Sequence, residues 1–313
     1  MRIGRRLAAL TALGLGLVVA TAPAAQAAYY NTYSDIASTP DSNGITATQG
    51  FAAGATYLYS IKTSGDESRS LIYRVNKDTG AKSIMKNGSS GGSYNTWLGH
   101  ANDMTIVDID GAHHFFVVTL NDSGAQLVKV RYDGDTYYKE GTYAVTIDGA
   151  RKGVSGISRV STSSTAISFF FKSGRSVYRG SLPLRADSGT IALTEAFDLK
   201  VTGALVNGST VSDIGDFANQ GFFYDTAKDL VYYPLTKDNR SIVLVYRGVT
   251  PSTSGTLTSA TDLSFRITSS MYSDKFEIES VGTSGGRLFF NTNRSGPSTG
   301  ANDGVHAFKG YVA

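Results

Sequence analysis

One short pattern recurs five times along this chain: a polar residue, a small or acidic residue, an apolar strand, a turn, and a second strand rich in Phe, Tyr or Val. The copies open at Gln49, Asn102, Ser155, Gln220 and Glu279, separated by 53, 53, 65 and 59 residues. Their second strands carry Tyr57-Leu58-Tyr59, Phe115-Phe116-Val117, Phe169-Phe170-Phe171, Val231-Tyr232-Tyr233 and Leu288-Phe289-Phe290. A repeat of about this length is that of a four-stranded propeller blade. Radial repetition also buries both faces of every sheet and leaves few open edges. We therefore expect an all-β fold: a single five-bladed propeller over residues 28–313, its last blade ending in Val305–Val312 and completed by Tyr29–Ile36. The competing architecture is a β-sandwich with accidental repetition.

The remaining signals agree with strands. With 35 Gly, 6 Pro, 18 Tyr and 15 Phe, the composition suits short strands joined by tight turns. Apolar or alternating runs recur at 56–61, 71–75, 114–120, 126–132, 166–172, 230–233, 242–246 and 287–291, whereas no long stretch shows helical spacing.

Residues 1–27 read as a secretory signal: Arg2, Arg5 and Arg6, an apolar run from Leu7 to Ala20, and a small-residue exit at Ala25-Gln26-Ala27. The run is too short to span a bilayer, so secretion without membrane insertion is expected. Cleavage after Ala27 removes three of the 29 basic residues and no acid. The remaining 286 positions then carry 26 of each sign. The net charge of +3 belongs to the signal, and nothing left supports nucleic-acid binding by concentrated positive charge. The chain has no Cys, which excludes thiol catalysis and metal–thiolate sites. With four His it offers no multi-histidine metal motif, and no cofactor or metal is expected.

If the units are blades, Gln49, Asn102, Ser155, Gln220 and Glu279 converge at one mouth of the central channel. Convergent hydrogen-bonding groups in a concavity make a ligand site, although the same groups could merely satisfy backbone at a crowded channel end. Trp97, the single tryptophan, stands in a Gly/Ser-rich loop as a platform for a sugar face or as a plug for the mouth. Catalytic candidates are Glu277 and Glu279, two apart on one strand face; His100, with Asp103 to orient it; and Asp216. Such carboxylates with a histidine would suit polysaccharide cleavage by a glycoside hydrolase or lyase. Set against this, Glu277 and Glu279 could simply meet Lys275 or Arg287. His113-His114 points to opposite faces and makes a weak metal site.

Gly99-His100-Ala101-Asn102-Asp103-Met104, Asn219-Gln220-Gly221-Phe222 through Asp229–Tyr233, and Phe276-Glu277-Ile278-Glu279-Ser280-Val281 resemble helveticin-J-type class III bacteriocins. They also resemble the related teichoic-acid biosynthesis protein C-like propellers of phage receptor-binding proteins. The resemblance implies a five-bladed propeller that binds a cell-wall glycan or teichoic-acid-like polymer, with antibacterial action in helveticin-like members. It points to His100, Gln220, Glu277 and Glu279. One departure is the absence of a His ahead of the Glu-x-Glu-Ser segment, where this chain has Asp274-Lys275-Phe276. The expectation is thus a secreted carbohydrate-binding protein, with polysaccharide cleavage as the enzymatic alternative and a structural surface propeller as a third reading.

Overall fold

The computed structural model describes residues 33–206 and 209–311. The signal segment 1–27, the start of the expected closing strand Tyr29–Ile36, and Val312, the end of the expected segment Val305–Val312, lie outside these residues.

Strands account for nearly all regular structure among the described residues, and they form five antiparallel four-strand arrays in chain order. The first is Ile45–Ala53, Tyr57–Ser64, Ser70–Asn76 and Lys82–Ile84. The second is Asp103–Ile109, Ala112–Val118, Leu127–Asp133 and Thr136–Ile147. Gly156–Thr162, Ala166–Ser173, Ser176–Pro183 and Ser188–Lys200 make the third. The fourth has a split inner strand, Ala218–Asn219 and Phe223–Asp225, followed by Leu230–Lys237, Arg240–Arg247 and Phe265–Thr268. The fifth joins Lys275–Ser284, Arg287–Gly296 and Gly304–Phe308 to Tyr33–Ser38 from the other end of the chain. Each apolar run expected to be a strand falls largely on one; the run 114–120 overshoots its strand, which ends at Val118.

Packing between arrays explains the sequence pattern. Phe169 and Phe171 face the second array, in a cluster with Phe116 and Tyr143. Phe170, between them in sequence, faces the fourth, with Phe197, Tyr224 and Tyr233. Successive strand side chains point to opposite faces, so a strand covered on both sides reads as an unbroken apolar run. Further clusters fill the first–second seam around Phe115 and Tyr132 and the fourth–fifth seam around Phe276 and Phe290. The fifth–first seam is filled by Phe51, Leu58, Phe289 and Val305. Burying each such Phe is worth about 1.5–3 kcal/mol.

The first strands of the arrays contact one another in cyclic order, the fifth against the first. At the periphery, Thr142–Ile147 pairs in parallel with Ser188–Leu193, and Phe197–Lys200 with Gly255–Thr258. These seams cover outer edges that would otherwise template aggregation. Tight turns keep the hairpins in register: Asp110 and Gly111 both take positive φ, 51° and 83°, as a two-residue hairpin loop requires.

The repeated polar residues do not all open their strands, contrary to the sequence expectation. Gln49 and Glu279 sit within the longer strands Ile45–Ala53 and Lys275–Ser284, at register breaks between Thr48 and Phe51 and between Ile278 and Val281. Gln220 falls in the gap of the fourth inner strand. At these places the backbone turns from its own array to its neighbour: Gly50 N–H donates to Ala101 O at 2.9 Å, and Gly221 N–H to Glu279 O at 2.8 Å. The glycines permit this approach. A Cβ on Gly221 would lie 2.8 Å from Ser280 Oγ and 2.9 Å from the Asp103 carboxyl carbon.

Candidate functional site

Asp103 lies at the centre of the ring, fully buried. Its Oδ2 accepts the N–H groups of Ile157 and Phe222, each at 3.1 Å. Its Oδ1 accepts the Ser280 hydroxyl at 2.9 Å and its neighbour's Met104 N–H at 3.0 Å. One carboxyl therefore holds inner strands of four arrays. Burial pushes its proton affinity up, to a pKa of about 7, against the lowering effect of those donors. Asn291 continues the knot, donating to Gln49 O at 2.6 Å while its Oδ1 accepts Ser280 N–H at 3.2 Å.

Around this knot the repeated polar residues gather at one end of the axis. Asn102 donates to Ser155 O at 2.6 Å. Lys172, fully buried, donates from Nζ to Ser155 Oγ at 2.8 Å and to Asn219 Oδ1 at 2.7 Å. Burial lowers its pKa to about 7, while the charge of Asp103 raises it. Above these groups opens a cavity of ≈ 370 Å³, whose lining includes Asn102, Ser155, Asn219, Asp122 and Lys152.

On the fifth array, Gln220 donates to Glu277 Oε1 at 2.5 Å, and Lys275 is ion-paired with the other Glu277 oxygen. Glu279 is buried beneath. Burial first, then the negative charge and hydrogen bond of Glu277, raise its pKa well above the ordinary glutamate value, favouring its protonated form. The two glutamates do face each other, and Lys275 answers them as the sequence allowed; Arg287 lies elsewhere, beside Asp78 at 4.0 Å.

The other catalytic candidates are not brought to this pair. His100 does not meet Asp103: its Nδ1 bonds Glu67 at 2.7 Å, because Asp103 is turned inward and spent on strand N–H groups. Asp216 pairs with Lys237 at 2.9 Å in a surface group completed by Asp213 and Arg240. Trp97 packs edge-on against Tyr137 with centroids 6.1 Å apart, and Lys139 lies over its ring at 5.7 Å, so it is half-buried in the first–second seam. Gln49 contributes its carbonyl to Asn291, and its side-chain Oε1 is buried without a partner. His113 and His114 diverge, the first to Asp108 on the surface and the second to buried contact with Glu140 at 2.9 Å. Among the described residues no group of three or more His, Cys, Asp or Glu is placed to hold a metal ion.

Lys172 is the residue of this site that sequence reading missed. Its signal was a lysine closing the apolar run Phe169-Phe170-Phe171, where a strand otherwise stays buried.

No family model matches the sequence, and no curated protein does. Among solved structures, the chain is similar to a GH43_1 enzyme from Xanthomonas citri, with a TM-score of 0.50 and 10% identity over 89% of this chain and 90% of that one. A structure from work on GH130 mannoside phosphorylases and glycoside hydrolases matches with a TM-score of 0.45 and 9% identity, over 86% of this chain and 85% of that one. The β-1,2-mannobiose phosphorylase of Listeria innocua gives 0.48 and 10%, over 86% and 92%. At such identities the likeness to the Xanthomonas enzyme is one of fold, and it assigns the chain to the all-β, propeller class.

Proposed function

We propose that this chain is a secreted five-bladed propeller, one blade per array, whose Asn102–Ser155–Asn219 mouth binds a polysaccharide. The observation that carries this reading is the ≈ 370 Å³ cavity whose lining brings together the amides of Asn102 and Asn219, the hydroxyls of Ser155 and Ser173, and the Asp122 and Lys152 side chains, with Lys172 held beneath it. The stronger charges near the axis are already answered within the protein, Asp103 by four donors and Glu277 by Lys275 and Gln220. At the cavity itself Asp122 and Lys152 answer each other at 4.0 Å, and the amides and hydroxyls beside them suit a polyhydroxylated chain. Cell-wall polymer, with antibacterial action, is the ligand class that the helveticin-like resemblance adds.

A second reading, glycosidic cleavage, is favoured by the Glu277–Glu279 pair. A carboxyl that keeps its proton beside one held by a lysine has the asymmetry of an acid/base couple. The Xanthomonas enzyme of similar fold belongs to a glycoside hydrolase family, which lends more weight to polysaccharide chemistry than to an antibacterial role. The direct contact of the two glutamates is closer than the ~5–9.5 Å separation of glycosidase carboxyls, and for that reason binding is placed first.

The test is co-sedimentation of the purified protein with insoluble bacterial cell wall, xylan and mannan, followed by assay of the supernatants for new reducing ends. Wild type should be retained by at least one polymer, and Asn219→Ala and Ser155→Ala should weaken retention about tenfold. Equal retention of all three proteins, or none of any, would remove the site. New reducing ends that vanish in Glu279→Gln would promote the second reading.

A further inference from the structure

Beyond the Asp103 knot from the mouth lies a second cavity, of ≈ 260 Å³, to which all five arrays contribute residues of their inner strands. Its wall is largely apolar, with Ala52, Met104, Ile106, Phe223 and Val281 among its residues. Two hydroxyls within it accept backbone N–H groups: Thr105 Oγ1 from Arg159 at 3.2 Å and Ser158 Oγ from Tyr224 at 2.9 Å.

Two charges of opposite sign line this cavity, Arg159 from the third array and Asp225 from the fourth. Asp225 is 6% exposed; its Oδ1 caps Ala227 N–H at 3.0 Å, and no described protein group bonds its second oxygen. The Arg159 guanidinium forms no hydrogen bond or ion pair with any described residue, Asp225 included. A carboxylate with one oxygen unbonded and a guanidinium with no protein partner among the described residues thus line the same largely apolar cavity, where a bound group of complementary charge would satisfy each.

We propose that this cavity binds a small zwitterion of the α-amino-acid class, its carboxylate against Arg159 and its ammonium against Asp225. A simple anion would leave Asp225 unanswered and a simple cation would leave Arg159 so; a molecule carrying both charges satisfies each with a charge-assisted hydrogen bond. The apolar wall receives the side chain, and the volume admits ordinary amino acids. This site is separate from the carbohydrate mouth and does not depend on it.

Isothermal titration of the full chain with glycine, L-alanine, D-alanine, L-lysine and L-glutamate tests the assignment, with acetate and methylamine as the isolated halves. At least one amino acid should bind saturably, with acetate and methylamine about tenfold weaker or more. Arg159→Ala and Asp225→Asn should each weaken that binding by a similar factor. Asp225→Asn keeps an oxygen for Ala227 N–H, so an unchanged unfolding midpoint separates lost binding from lost fold. The proposal is overturned by absence of heat with every amino acid, by acetate binding as tightly as the amino acid, or by unchanged affinity in both variants.

Discussion

The Ser280 hydroxyl donates to Asp103 Oδ1 over 2.9 Å, tying together two residues 177 positions apart. The same carboxyl gathers Ile157 and Phe222, so one buried side chain fixes how the inner strands stand around the axis. This concentration makes the centre of the ring sensitive to single changes.

Replacing Asp103 by Ala leaves three backbone N–H groups and a hydroxyl without their acceptor in a dry centre. The expected loss is about 3–5 kcal/mol, read as a lower urea midpoint. Asp103→Asn keeps one acceptor oxygen and turns an NH2 toward other donors, so it should cost about 2–3 kcal/mol. Gly221→Ala, whose methyl would press on Ser280 and Asp103, should also destabilise.

His306 provides a pH dependence of definite sign. It is fully buried, donating from Nδ1 to Asp35 at 2.8 Å and meeting Thr292 Oγ1 at Nε2 over 2.7 Å. Burial lowers its pKa to about 4, from 6.5. Between those values the unfolded chain binds more protons, so this contribution is complete above pH ~6.5 and is lost as the pH falls toward ~4, about 3 kcal/mol in all. Urea unfolding across that range should show the slope, and His306→Gln should flatten it.

Glu279 has the opposite sign. Its raised folded-state pKa means that stability is lost as pH rises above the normal carboxylate range. Glu279→Gln mimics the protonated form, so the variant should match wild type near pH 4–5 and exceed it at alkaline pH by thermal unfolding. A midpoint that falls at every pH would show that the acid proton is not held there.

The strand Tyr33–Ser38 closes the fifth array and covers Gly304–Phe308. A chain lacking residues 33–38 should exposes that edge, lose roughly 3 kcal/mol or more, and associate in proportion to concentration. Sedimentation velocity of the shortened chain checks this; a monomer of unchanged stability would mean that the strand is dispensable.

The five-fold recurrence and the position of most strands are legible from residues alone, because a strand buried on both faces writes itself as a local run such as Phe169-Phe170-Phe171. The gathering of Asn102, Ser155, Gln220 and Glu279 toward one axial end follows from the same repeat. Partner choice does not. His100 reads as the natural mate of Asp103, three residues on, yet it turns out to Glu67 while Asp103 turns in to Phe222 and Ser280. Asp216 sits near Gln220 in sequence and on the surface in space.

The sequence by itself determined an all-β chain of repeated strand units, since burial periodicity is a property of neighbouring residues. Only the tertiary structure decided that Asp103 is the axial knot, that Lys172 lies under the mouth, and that Arg159 and Asp225 share a cavity. Those relations join groups 47 to 177 positions apart, and they exist only because closing the ring brings inner strands within hydrogen-bonding distance and strips them of water.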